Sequence, residues 1–214
     1  RFLLRAFRYR WRVDPGELHF LCKSLRPGQL AVDVGCHKGA YTYWMRRRVG
    51  PHGSVITFEP QPGQVEYLRK VLSGYDNIVL VPMALSDTQG RMPLYVGEST
   101  HEATLEIRDQ KQETKSEANA RTSQFAAASS HVEVTTLDRF FADRPQGPAF
   151  LKIDVEGHEL AVLRGGVETL KRHRPVILVE CETRHRANGD VRPVFELLTS
   201  LGYRGSFFVN RSRR

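Results

Sequence analysis

Cysteine is scarce in this chain, with three residues (Cys22, Cys36 and Cys181) and no paired spacing among 214. An odd, scattered set of thiols argues against a disulfide framework and for a reducing, cytoplasmic setting. Cys36 and Cys181 read as small packing residues rather than nucleophiles. Long apolar runs are also missing: no stretch approaches the roughly eighteen residues that cross a bilayer, and no signal-peptide core is visible. The phosphate-cradling G-x-G-x-x-G is absent, as is the Tyr-x-x-x-Lys pair, which counts against a nicotinamide-dependent oxidoreductase. No Asn-Pro-Pro-Tyr-like run marks an enzyme acting on exocyclic amines.

Basic residues are in excess, with a net charge of +8 and a pI near 9.7. They gather at Arg1 to Arg12, Arg46 to Arg48, Lys171 to Arg174 and Arg211 to Arg214. The two interior clusters fall near expected helix C-termini, where cations complement the helix dipole. No aromatic stripe interleaves with them as base stacking needs, so nucleic acid is disfavoured as a partner. With 40% hydrophobic residues, the chain can bury the core of one α/β domain.

The most informative stretch is Leu30-Ala-Val-Asp33-Val-Gly35-Cys36-His37-Lys38-Gly39-Ala-Tyr41. An apolar run stops at a glycine turn and a helix follows, the opening of a nucleotide-binding α/β unit. Gly35 lets the chain turn sharply and Gly39 allows close approach to the backbone. The G-x-x-x-G spacing suits a cofactor without phosphates, whose cationic end meets Asp33. A plain structural turn is the competing reading. The next apolar segment, Ser54 to Phe58, ends in Glu59-Pro60, about twenty residues beyond the turn, where an acid accepts hydrogen bonds from ribose hydroxyls. Far downstream, Lys152 and Asp154 alternate on a strand that breaks at Glu156-Gly157 ahead of His158 and an acidic helix.

Taken with Phe58-Glu-Pro, Ala84-Leu-Ser86-Asp and Thr136-Leu-Asp138, the run Lys152-Ile-Asp154-Val-Glu156-Gly157 closely resembles the FkbM family of S-adenosylmethionine-dependent methyltransferases. The resemblance spans roughly Leu30 to Phe208 and is poorest between Gly97 and Ser130. It implies a class I methyltransferase fold and, as a rule in that family, O-methylation of a small molecule or sugar hydroxyl. Within that reading, Asp33, Gly35 and Gly39 surround the methionine end of the cofactor and Glu59 takes the ribose. Ala84, Leu85 and Ser86 border the adenine, and Asp154 completes the cofactor set. Glu156 and His158 are the candidate proton acceptors, with Glu180 behind them. His158 reads equally as a solvent-facing helix start, and Glu156 as a helix-start acceptor. No metal is expected, although Asp154 with Glu180 and Glu182 offers hard oxygen ligands that could hold Mg²⁺. A methyltransferase acting on RNA or protein, and a catalytically silent cofactor-binding module, are the rival readings.

The alternation of strands and helices from Leu30 onward predicts a doubly wound, mostly parallel sheet within one domain over 30–214. Residues 1–29 form a helical extension. Its apolar Phe2, Leu3, Leu4, Phe7 and Trp11 suit packing on the core or on a dimer partner, or attachment to an anionic membrane surface. The polar stretch 97–130 reads equally as a substrate lid or as an unstructured insertion. One helix is expected from Glu159 to His173, and a last sheet strand from Arg204 to Val209.

Overall fold

The computed structural model describes residues 1–96, 103–105, 130–181, 190–209 and 212–213. Five strands, β1 (Leu30–Val34), β2 (Ser54–Phe58), β3 (Ile78–Val81), β8 (Phe150–Ile153) and β9 (Val176–Val179), form a wholly parallel sheet ordered β3-β2-β1-β8-β9. Every residue of β1 is buried, which is why it reads as an unbroken apolar run rather than an alternating one. The chain builds outward from β1 to β3, then returns to place β8 on the other side of β1. That reversal creates a crevice at the carboxyl ends of β1 and β8, where open α/β sheets take their ligands.

Both sheet faces are covered. Helices α2 (Pro15–Ser24) and α3 (Ala40–Val49) meet Ala31, Val55 and Phe150 on one face. Flanking them, α4 (Pro62–Leu72) packs with the N-terminal α1 (Phe2–Arg8) through Leu68, Leu72 and Phe2. On the opposite face, Val32, Val34, Ile56 and Phe58 pack against α5 (Leu137–Phe141), α6 (Glu159–Arg164), α7 (Val167–His173) and α8 (Arg192–Ser200). A smaller sheet runs β4 (Ala84–Leu85), β7 (Ser130–Thr135), β5 (Gly90–Val96), β6 (Ala103–Leu105), closed by Ala84, Leu94, Val132 and Val134.

Three expectations need correction. The helix over 159–173 is two helices, α6 and α7, parted at Gly165-Gly166. The break is imposed by packing: a Cβ at Gly165 would lie 2.0 Å from the Ser86 carbonyl oxygen, and one at Gly166 would lie 2.8 Å from Leu137. The Asp138 carboxylate then accepts from the Glu168 and Thr169 amides at 3.1 and 2.7 Å, satisfying the new helix start. The strand expected over 204–209 shrinks to β10 (Phe208–Val209), paired only with β11 (Ser212–Arg213) among the described residues. Arg174 claims the Leu201 and Gly202 carbonyls, and the Tyr203 hydroxyl donates to the Leu170 carbonyl at 3.3 Å, so the chain is tied to α7 instead. Within the polar stretch 97–130, β6 extends the β5 edge in antiparallel register, and Ser130 opens β7. The remainder of the expected lid or insertion lies outside the described residues.

Candidate active site

The crevice is built on main chain. Gly35 turns β1 away with φ of +75°, and a Cβ there would sit 1.8 Å from the Asp154 carbonyl oxygen, so only glycine fits. The Gly35 and Cys36 amides donate to the Phe58 carbonyl at 3.1 and 3.2 Å, which stitches the loop to the end of β2. Glu59 then joins two loops: its Oε2 accepts from the His37 amide at 2.7 Å and its Oε1 from the Gln61 amide at 2.9 Å. It is 2% exposed. Burial pushes its carboxyl up to about 7, with the two amide bonds pulling the other way and Asp33 and Asp154 adding to the rise.

Across the crevice, the Lys152 ammonium sits 2.9 Å from Asp154 and 4.5 Å over the Tyr41 ring. Burial works against its charge, but Asp154, Asp33 and Glu180 outweigh that and hold its pKa above the usual range. Past β8 the chain enters a left-handed conformation at Glu156, φ +51°. Such a backbone is uncommon for a residue with a side chain and collects at functional sites. His158 caps α6 from a buried position, with its Nε2 2.9 Å from the Ser86 hydroxyl. Its burial holds the imidazole pKa below the ordinary value, despite the nearby charges of Asp87 and Glu159. The solvent-facing alternative for His158 is thereby set aside.

A cavity of about 220 Å³ opens between these two walls. Gly35, Glu59, Ala84, Leu85, Asp154, Glu156 and His158 all line it, together with Glu180. Three expected residues do not. Asp33 shares the sheet face of Ala31, because side chains alternate along a strand, and so points beneath α3. It is fully buried, its Oδ2 accepts from the Thr42 hydroxyl at 2.6 Å, and its Oδ1 has no hydrogen-bond partner among the described residues. Burial raises the Asp33 pKa, with Lys152 and the Thr42 hydroxyl opposing. Gly39 faces the Leu68 and Phe2 side chains, 3.2 Å from where a Cβ would stand, and so admits the close approach of α1 and α4. Ser86 lies fully buried and holds the imidazole of His158. Asp33 and Ser86 are thus placed to hold the site's parts in position. Thr42→Val should leave the Asp33 carboxyl without its side-chain donor and lower stability by about 1–3 kcal/mol. Calorimetric melting checks this, and an unchanged melting temperature would disprove the donor's role.

Of the acids in the divalent-cation alternative, Glu182 lies outside the described residues, and Asp154 faces the Lys152 ammonium, which would compete with a cation for that carboxylate. The described residues contain no group of three or more acids, histidines or cysteines that could hold a metal. Sequence reading also missed part of the cavity wall. Tyr9, Val13 and Asp14, from the turn of π-helix (Tyr9–Val13) that continues α1, line the cavity. Asp14 accepts from the Tyr41 hydroxyl at 3.0 Å, and burial raises its pKa against that bond. No local pattern signals a contact across so many residues. His37 and Gln61, whose amides hold Glu59, were legible only as neighbours of the motif.

The sheet order, the switch-point crevice and the acid at the end of β2 define a Rossmann-like α/β methyltransferase fold. The Methyltransferase FkbM domain family matches residues 33–204, and the chain belongs to it. Its cofactor is S-adenosylmethionine. Among proteins similar to it is the 2-O-methyltransferase NoeI of Sinorhizobium fredii, 26% identical over 205 residues, covering 88% of this chain and 82% of that protein. The crystal structure of methyltransferase FkbM from Methylobacillus flagellatus superposes with a TM-score of 0.52 at 15% identity over 92% of this chain. This chain spans 47% of the length of that protein, a likeness that shows the fold. No helix among the described residues is long and apolar enough to cross a membrane.

Proposed function

We propose that this methyltransferase acts on a hydroxyl of a small molecule or sugar, with Glu156 as first candidate for the proton acceptor. The observation that carries this reading is the pairing of walls across one cavity. A buried carboxylate held by two amides lies on the β2 side, and Asp154, Glu156 and His158 lie on the β8 side. The residues fit the cofactor: each Glu59 oxygen keeps a lone pair beyond its single amide bond, suited to a ribose diol. Gly35 brings bare main chain to the cavity, while Ala84 and Leu85 offer an apolar surface to an adenine. S-adenosylmethionine supplies a methyl group already activated on a sulfonium, so the protein's task is alignment and removal of one proton.

Lys152 neutralises Asp154, and among the other titratable groups that line the cavity we put Glu156 and His158, next along the chain from β8, ahead of Glu180 as takers of that proton. Burial disfavours the charged form of His158 and Ser86 fixes its ring, so it can serve as acceptor or orient the hydroxyl. The O-methyl activity named for the Sinorhizobium relative supports an oxygen acceptor. The scarcity of cysteine, three residues with no paired spacing, supports residence in a reducing compartment. To test the proposal, the protein and S-adenosylmethionine are incubated with sugars and small polyols and the products read by mass spectrometry and NMR. A new methyl ether is the expected product. Methyl transfer confined to nitrogen, or to added RNA or protein, would overturn the hydroxyl assignment.

A further inference from the structure

We propose that the outer face of the N-terminal helix docks on an anionic lipid surface. Helix α1 and the turn after it are fixed from the inside. Phe2 and Ala6 are buried with Tyr43, Leu68 and Leu72, and the Trp44 indole donates to the Ala6 carbonyl at 2.9 Å. The outside stays uncovered, with Leu3 48%, Leu4 75%, Phe7 44% and Trp11 67% exposed. At about 100° per residue Leu3, Leu4 and Phe7 fall within an arc roughly 100° wide; Phe7 also packs on Tyr43 and Trp44, and Trp11 extends the patch on the π-helical turn. Arg1, Arg8 and Arg12, all exposed, cluster along one edge of that arc. Residues 1–13 contain no acidic residue.

An apolar arc bearing leucine, phenylalanine and tryptophan beside an arginine edge matches the boundary of a bilayer. The apolar side chains enter the acyl region and the guanidinium groups meet lipid phosphates. A second copy of the chain fits less well, because a two-fold contact on this patch sets arginine edges of like charge in one interface. The net charge of +8 adds a general attraction to an anionic surface.

The test is co-sedimentation of the protein with phosphatidylcholine vesicles, with and without phosphatidylglycerol. Retention should be about tenfold or more greater on the anionic vesicles and should fall in about 0.5 M salt. Tryptophan emission should shift to the blue on binding, and the shift should be carried by the exposed Trp11 more than by the half-buried Trp44, whose indole is bonded to the Ala6 carbonyl. The variant carrying Leu4→Ser and Trp11→Ser should bind vesicles at least about tenfold more weakly, and Arg8→Glu with Arg12→Glu should do the same. All four side chains face solvent, so melting temperature and cofactor affinity should hold in both variants. Because vesicle binding is read without turnover, it stands or falls separately from the hydroxyl-acceptor reading. No preference for anionic vesicles, or undiminished binding by the Leu4/Trp11 variant, would overturn the proposal. So would a dimer in solution that this variant dissociates, without vesicle binding, or capture of RNA in place of lipid.

Discussion

Glu156→Gln should lower turnover by about 10²–10⁴-fold while affinity for S-adenosylmethionine holds, the signature of a lost proton acceptor rather than a damaged site. The amide preserves the shape of the side chain but cannot take the proton, and the left-handed backbone at Glu156 is left undisturbed. Single-turnover kinetics with cofactor bound beforehand separates the chemical step from binding. If His158 is the acceptor instead, His158→Asn will carry the loss and Glu156→Gln will stay near full activity. The acid limb of the rate profile would then fall below the ordinary imidazole range, because burial disfavours the imidazolium. Activity should survive chelator treatment in either case, since the Lys152 ammonium occupies the place beside Asp154 that a cation would need. Restoration of a chelator-inactivated enzyme by Mg²⁺ would refute both assignments.

Glu59→Ala should weaken S-adenosylmethionine binding by ten- to a hundredfold or more, as charge-assisted hydrogen bonds of about 1.5–3 kcal/mol are removed. The loss reaches beyond the ribose, because the His37 and Gln61 amides lose their shared acceptor and both loops loosen. The wild-type protein should also show a pH effect. With the Glu59 carboxyl near 7, it is largely protonated in acid and ionised in base. A diol donates best to the ionised form, so affinity should rise with pH through that value, and binding near neutrality should release protons. Roughly tenfold weaker binding is expected one unit below that pKa. Stability of the cofactor-free protein should move in the opposite sense. A folded-state pKa raised above the ordinary 4.5 contributes stability that is complete below 4.5 and is lost as pH rises through about 7. Titration calorimetry in buffers of different ionisation heat measures the proton release. Binding that is flat between pH 6 and 8 would contradict this account of Glu59.

The parts of the fold legible in the sequence were those with both faces buried or with glycine at a forced turn. The β1 run, the Gly35 turn and helix α3 could be read directly, because each depends on near neighbours. The pairing of Lys152 with Asp154 was legible from their alternation on one strand. The direction of Asp33 was not. A strand apolar on both faces gives no sign of which face meets the ligand, and only the packing of Thr42 settles it. The break between α6 and α7 depends on the Ser86 carbonyl, on a segment distant in sequence. The N-terminal wall of the cavity was hidden for the same reason: Tyr9, Val13 and Asp14 precede the family match and reach the site only through tertiary packing.

The contact between Gly35 and the Asp154 carbonyl divides the site into two materials. Its floor is main chain against main chain, whose shape no exchange of side chains can retune. Its rim is side chain, drawn partly from residues ahead of the family match. Sequence drift along such a protein can reshape the opening and leave the floor as it was.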